Sequence, residues 1–166
     1  MITLVCGAPG CGKSTYIRKH KLYGDVVIDL DEIYHALTGL PFYDKPAELF
    51  DFVHFVRNQA LNRAAALQRS GKIRNVWVAA GLPKAHLRER ETRRLNAHVV
   101  LIEASVNSCM ANIHRDKRRK KNAEAWLPIV EKWWRFYEAS ADDEVIDYLD
   151  LVKKTSPKRA RRNTKA

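Results

Sequence analysis

The chain has 166 residues, 30 of them Lys or Arg and 19 Asp or Glu, for a formal charge of +11. At ~100–200 residues per domain this is one domain, and 46% apolar residues are enough to bury a core, which excludes a wholly disordered chain. No stretch approaches the ~18 uninterrupted apolar residues of a membrane span, no basic leader precedes Ile2, and three cysteines without CxxC spacing argue against a disulfide or zinc framework, so a cytoplasmic protein is expected.

The run Ile2-Thr-Leu-Val-Cys6 predicts a buried strand, and Lys13-Ser-Thr-Tyr-Ile-Arg-Lys-His20 predicts a helix. Between them Gly7-Ala-Pro-Gly-Cys-Gly-Lys-Ser14 fits G-x-x-x-x-G-K-[ST], placed after a strand and opening a helix as that pattern requires. Glycines there let successive amide N–H groups turn inward around phosphates, helped by the positive end of the helix dipole. Gly7, Ala8, Pro9, Gly10, Cys11, Gly12, Lys13, Ser14 and Thr15 are therefore the predicted ATP cradle. Lys13 is expected to reach the β- and γ-phosphates, and the Ser14 hydroxyl to hold Mg²⁺.

A second strand, Val26-Val-Ile-Asp29, leads into a helix through Ile33, Ala36 and Leu37 that stops at Gly39. Asp29, Asp31 and Glu32 put three carboxylates at this junction. Asp31 fits two roles, a general base for an acceptor hydroxyl or a helix N-cap. Asp29 is a candidate magnesium partner through water.

After a loop with two prolines, Gly39 to Pro46, helical periodicity runs from Ala47 to Gly71. A third strand, Ile73 to Ala80, ends in Gly81-Leu-Pro83 without the carboxylate that hydrolysing motors usually carry at such a strand end. In the helix that follows, Arg88, Arg90, Arg93 and Arg94 interleave with Glu89 and Glu91, the pattern of an exposed, ion-paired surface. His98 to Glu103 reads as a fourth strand. Helix is expected to resume at Val106 and continue through the basic run of residues 115–121. A last helix from Ala123 to Ala139 would turn Trp126, Ile129, Val130, Trp133 and Tyr137 toward the core.

Most of the excess charge lies in that basic run and in residues 153–166, which hold seven basic residues and no acid. Too polar to offset the cost of ordering, 153–166 is expected to be a disordered tail, either a nucleic-acid-binding arm or a solubilising extension. The basic run is open to two readings as well: a lid over the phosphates or a solvated helix face.

Strands that are apolar throughout, alternating with helices, predict an α/β protein. The expected fold is a three-layer αβα P-loop NTPase with a short parallel sheet of about four strands, order 2-3-1-4. The domain would span 1–152, with a helical lid at about 106–122.

The phosphate loop, the acidic step after the second strand and the helix beyond it resemble the kinase domain of bacteriophage polynucleotide 5′-kinases, over residues 2–137. The chain also looks like small ATP-binding proteins encoded by tailed phages. The resemblance implies Asp31 as general base, and Arg115 with Arg119 as lid arginines over the transferring phosphoryl group. It departs from that family at Tyr34, where an arginine helps hold the acceptor, and at Ala80-Gly-Leu-Pro83, where an Asp-Thr-Asn step is usual. The expected activity is Mg-ATP-dependent phosphotransfer to a nucleic-acid 5′-hydroxyl, with DNA or RNA drawn to the basic lid and tail. Two alternatives stand beside it: a kinase of nucleoside or nucleotide monomers, and a nucleic-acid-binding phage ATPase without kinase activity.

Overall fold

The computed structural model describes residues 1–153. Five parallel strands form one sheet in the order β2-β3-β1-β4-β5. β1 (Ile2–Cys6) lies at its centre and is buried at every position. β2 (Val26–Ile28) and β3 (Val76–Ala80) extend the sheet on one side, β4 (His98–Glu103) and β5 (Glu144–Asp147) on the other. Strands this apolar need cover on both faces. α1 (Lys13–His20) packs on β1 and β3, α3 (Phe50–Arg69) on β2 and β3, α4 (Ala85–Leu95) on β4, and α7 (Tyr148–Lys153) on β5. The result is the expected αβα arrangement.

α2 (Leu30–Thr38) leans on α3 and ends at Gly39, whose φ of 67° is a left-handed cap that glycine adopts without strain. α5 (Val106–Arg115), a 3-10 segment Lys120–Trp126 and α6 (Leu127–Arg135) pack on one another between β4 and β5. Cys6, Cys11 and Cys109 are buried free thiols. Burial pushes the thiols of Cys6 and Cys109 up to about 12. Among the described residues no helix is long and apolar enough to cross a membrane.

Four expectations are corrected. The sheet has five strands: Glu144-Val-Ile-Asp147 is short and acidic at both ends, as edge strands often are, and carries too little pattern to stand out. The helix starting at Val106 stops at Arg115, because Asp116 leaves it with extended backbone before the basic run begins. The last helix is shorter than Ala123–Ala139: its start is 3-10 and its α-helical part ends at Arg135, with Val130 and Trp133 buried but Ile129 exposed. Arg88, read as a surface residue, is fully buried. The expected disordered tail begins at Lys153, which closes α7; the rest of it lies outside the described residues.

Candidate active site

β1 delivers the chain to the phosphate loop at Cys6, level with Ala80 of β3 and Leu101 of β4. The loop then turns through Gly7, Gly10 and Gly12, at φ of 146°, 80° and 106°. A Cβ on Gly10 would meet the Cys109 carbonyl at 2.5 Å, so the loop closes against α5 only because no side chain is there. Ala8 and Cys11 are buried and joined by a Cys11 N–H to Ala8 carbonyl bond of 3.2 Å. Their side chains brace the loop, and Gly10, Gly12, Lys13, Ser14 and Thr15 face the open cavity. Gly7 and Pro9 face an adjoining apolar cleft under α6, which Lys13 also borders.

Gly12 offers α1 no side-chain cap, so the first amide N–H groups of that helix are available to an anion. Lys13 Nζ lies across the loop, donating to the carbonyls of Gly7 and Ala8 at 2.8 Å each. These residues open into a cavity of about 480 Å³ whose other walls include Asn112 and Arg115 of α5, the following turn, and Tyr148 and Leu151 of α7. Asn112 ties the parts together: its Nδ2 donates to the Gly10 carbonyl at 2.8 Å, and its Oδ1 accepts from the Tyr148 hydroxyl at 2.8 Å. Nothing in its sequence position distinguishes Asn112 from any polar helix residue.

The lid arginines reach the cavity, though not as adjacent turns of one helix. Arg115 ends α5, whereas Arg118 and Arg119 come from the turn after Asp116, and all three line the same cavity. Arg119 donates to the Tyr43 hydroxyl at 2.6 Å, and its guanidinium lies 4.3 Å from the Tyr43 ring centre and 4.6 Å from that of Trp126. Arg118 lies 4.7 Å from the Phe42 ring centre and pairs with Asp116 and with Glu32. The loop between α2 and α3 thus holds the turn that carries Arg118 and Arg119, and Tyr43, at a left-handed φ of 72° rare for an aromatic residue, is the centre of the contact.

Of the carboxylates, Asp29 rather than Asp31 caps α2: its Oδ1 accepts from the Asp31 N–H at 3.0 Å. Burial, and next the charge of Asp31, raise the Asp29 carboxyl above its ordinary value, while Lys13 works the other way. Asp31 is left free of the capping role and forms an ion pair with Lys45. Tyr34 is buried, and among the described residues its hydroxyl has no hydrogen-bond partner.

Magnesium fits these residues in a limited way. The Ser14 hydroxyl lines the cavity, and both it and the Asp29 carboxylate are the hard oxygen donors this ion takes. Among the described residues no cluster of three or more acidic, His or Cys side chains could hold a metal alone. That suits an ion carried mainly by nucleotide phosphates with few protein ligands.

A family model described as an AAA domain matches residues 2–136. The chain belongs to that family. No curated protein matches this AAA-domain chain. Its fold is found in solved kinases. A gluconokinase from Sinorhizobium meliloti 1021 superposes with a TM-score of 0.54 at 15% identity, covering 92% of this chain and 87% of that one. A shikimate kinase from Acinetobacter baumannii in complex with shikimate gives 0.53 at 20% identity, covering 92% and 89%. A sugar kinase from Janibacter sp. HTCC2649 gives 0.53 at 10% identity, covering 92% and 90%. At such identities the likeness is one of fold, and the fold of this AAA-domain chain is that of the P-loop kinases.

Proposed function

We propose that the protein transfers the γ-phosphate of ATP to a hydroxyl of a small-molecule acceptor. The observation that carries this reading is an amide-lined loop holding Lys13 across its mouth, with the Asp29 carboxylate at the start of α2 close enough for that lysine's charge to act on it. Lys13 neutralises charge between the β- and γ-phosphates, and the free amides at the start of α1 hold the phosphate oxygens. Ser14, with Asp29 through water, would hold Mg²⁺, which supplies charge neutralisation on the phosphates when bound. Asp31 takes the acceptor's proton once its pairing with Lys45 loosens. Arg115 and Arg119 stabilise the transferring group from the lid side.

A monomer is favoured over a polynucleotide end because Arg119 is turned in against Tyr43 and Trp126, and the exposed Arg118 is already paired with Asp116. Arg118 and Arg119 are engaged by Asp116, Phe42, Tyr43 and Trp126, so they do not form an open basic track for a phosphate polymer. The names of the solved neighbours, a gluconokinase and a shikimate kinase, support the same choice.

The test is transfer of label from γ-labelled ATP, with magnesium, onto nucleosides, nucleoside monophosphates, sugar acids and a 5′-hydroxyl oligonucleotide. Label on a monomer is expected, with Lys13→Ala lowering the rate by about 10²–10³-fold. Label confined to the oligonucleotide would restore the polynucleotide reading. DNA-stimulated phosphate release that survives Asp31→Asn, without transfer to any acceptor, would make the protein an ATPase.

A further inference from the structure

A second cleft, of about 440 Å³, opens between α3 and α4 over the carboxyl end of β3. Its floor includes Ala80, which lies level with Cys6, the last residue before the phosphate loop. Ligands of open parallel sheets bind outside this end of the strands. The cleft walls carry three arginines, Arg57, Arg90 and Arg94, and a single acid, Glu91.

The charges do not balance. Glu91 Oε2 accepts from Arg94 at 2.7 and 3.1 Å, and Oε1 faces Arg90 at 3.7 Å. Arg94 is further held by Asn62 at 2.8 Å. Arg57 is left with one neutral contact, a 3.2 Å bond from its NH1 to Asn58 Oδ1, and among the described residues it makes no ion pair. Yet it is half-buried, and burial pulls its guanidinium below the ordinary arginine value despite the opposing fields of Glu91 and Asp29. A guanidinium removed from water without a counter-ion is costly to the fold, and a planar fork of N–H donors matches an oxyanion in both charge and shape. α2, which Asp29 caps, packs on α3, the helix that carries Arg57, and the Asp29 charge acts on Arg57.

We propose that this cleft binds the phosphoryl acceptor through an oxyanion group, a carboxylate or a phosphate ester, with Arg57 as its principal ligand. The acceptor is then an acidic small molecule whose hydroxyl projects toward Asp31. This rests on the phosphotransfer reading for the word acceptor; the oxyanion site itself can be tested without catalysis.

With the phosphate loop saturated by MgADP, acetate and methyl phosphate are titrated in turn while the Arg57 Nε–Hε resonance is followed by NMR, assigned by its loss in Arg57→Lys. A saturable shift is expected with one or both probes. The tighter of the two tells a carboxylic acceptor from a phosphate ester. Arg57→Gln, followed on the Nε–Hε resonance of Arg94 in the same cleft, should weaken the probe by about 10–100-fold, the range for losing a hydrogen-bonded charge, leave MgADP affinity unchanged and raise the melting temperature or leave it where it is. An Arg57 resonance that moves no more than those of exposed arginines overturns the proposal, as does unchanged probe binding in Arg57→Gln. Should MgADP itself fail to bind, the same titration in Lys13→Ala separates the two ideas: the nucleotide reading is lost, and the oxyanion site stands or falls on the Arg57 shift alone. A saturable shift without phosphoryl transfer to any acidic hydroxyl compound would keep the site and remove its role as acceptor pocket.

Discussion

Arg88 lies on the same helix as the exposed Arg90, Arg93 and Arg94, but its own side chain is 1% exposed. It donates to the carbonyls of Leu82, Pro83 and Glu138 and pairs with the equally buried Asp143 at 2.7 Å. One side chain therefore fixes the turn after β3 to the segment that leads into β5. Arg88→Met would strand a buried carboxylate and three carbonyls, a loss of about 3–5 kcal/mol by urea unfolding. Adding Asp143→Asn should return part of it, since the two residues form one unit. Tyr34 presents the opposite case, a buried hydroxyl without a hydrogen-bond partner among the described residues. Tyr34→Phe should be neutral or stabilise by up to ~1 kcal/mol in the same measurement, because it deletes an unsatisfied group and keeps the ring. A charged helix pattern contains no sign of which arginine turns inward: that depends on Asp143, 55 residues away in sequence, arriving at the same place.

The phosphate loop was legible because its pattern fits into eight consecutive residues, whereas the cavity wall expected to act as a lid is assembled from two distant segments. Arg115 and Arg119 are named through the family resemblance, but the partner that orients Arg119 is Tyr43, on a loop whose sequence shows only its prolines and glycine. Two aromatic faces around one guanidinium contribute about 0.5–2 kcal/mol each, enough to hold a short turn. Tyr43→Ala should release the turn, seen as faster tryptic cleavage within 115–121 and an altered Trp126 emission. Tyr43→Phe keeps the ring and should lie between the two. Asp116 anchors the same turn. Burial acts against its ionisation, but the Arg118 N–H and guanidinium, with Arg119 beyond, win and hold the carboxyl below its ordinary value. A carboxyl depressed in the folded protein stabilises above its unfolded value and loses that contribution as pH falls through the folded one. The tryptic pattern should thus stay constant from neutral pH down to about 4 in wild type. Asp116→Asn should show the released pattern already at pH 7.

For the whole molecule, the parallel core was readable from runs of apolar residues, while β5 and α7 were not, being short and mostly exposed. They matter because they close the sheet edge and return the chain to its first loop. Leu151 is 5% exposed, and its carbonyl accepts from Lys19 of α1 at 2.5 Å. A Cβ on Gly12 would come within 3.3 Å of Leu151 Cδ2, so α7 rests directly against the amide cradle. If that cradle holds the nucleotide, a cavity at Leu151 should reach binding as well as stability, which a cavity elsewhere in the core would not. Leu151→Ala and Leu61→Ala, the latter at a fully buried site in α3 that lines neither large cleft, should each cost ~2–5 kcal/mol in unfolding free energy. They should differ in MgATP affinity measured by calorimetry well below both melting temperatures. Leu151→Ala should weaken it by about tenfold, the equivalent of ~1.4 kcal/mol, and Leu61→Ala should leave it unchanged. Equal affinities in the two variants would reduce α7 to a patch on the sheet edge, with the loop then positioned by Asn112 and α5 alone.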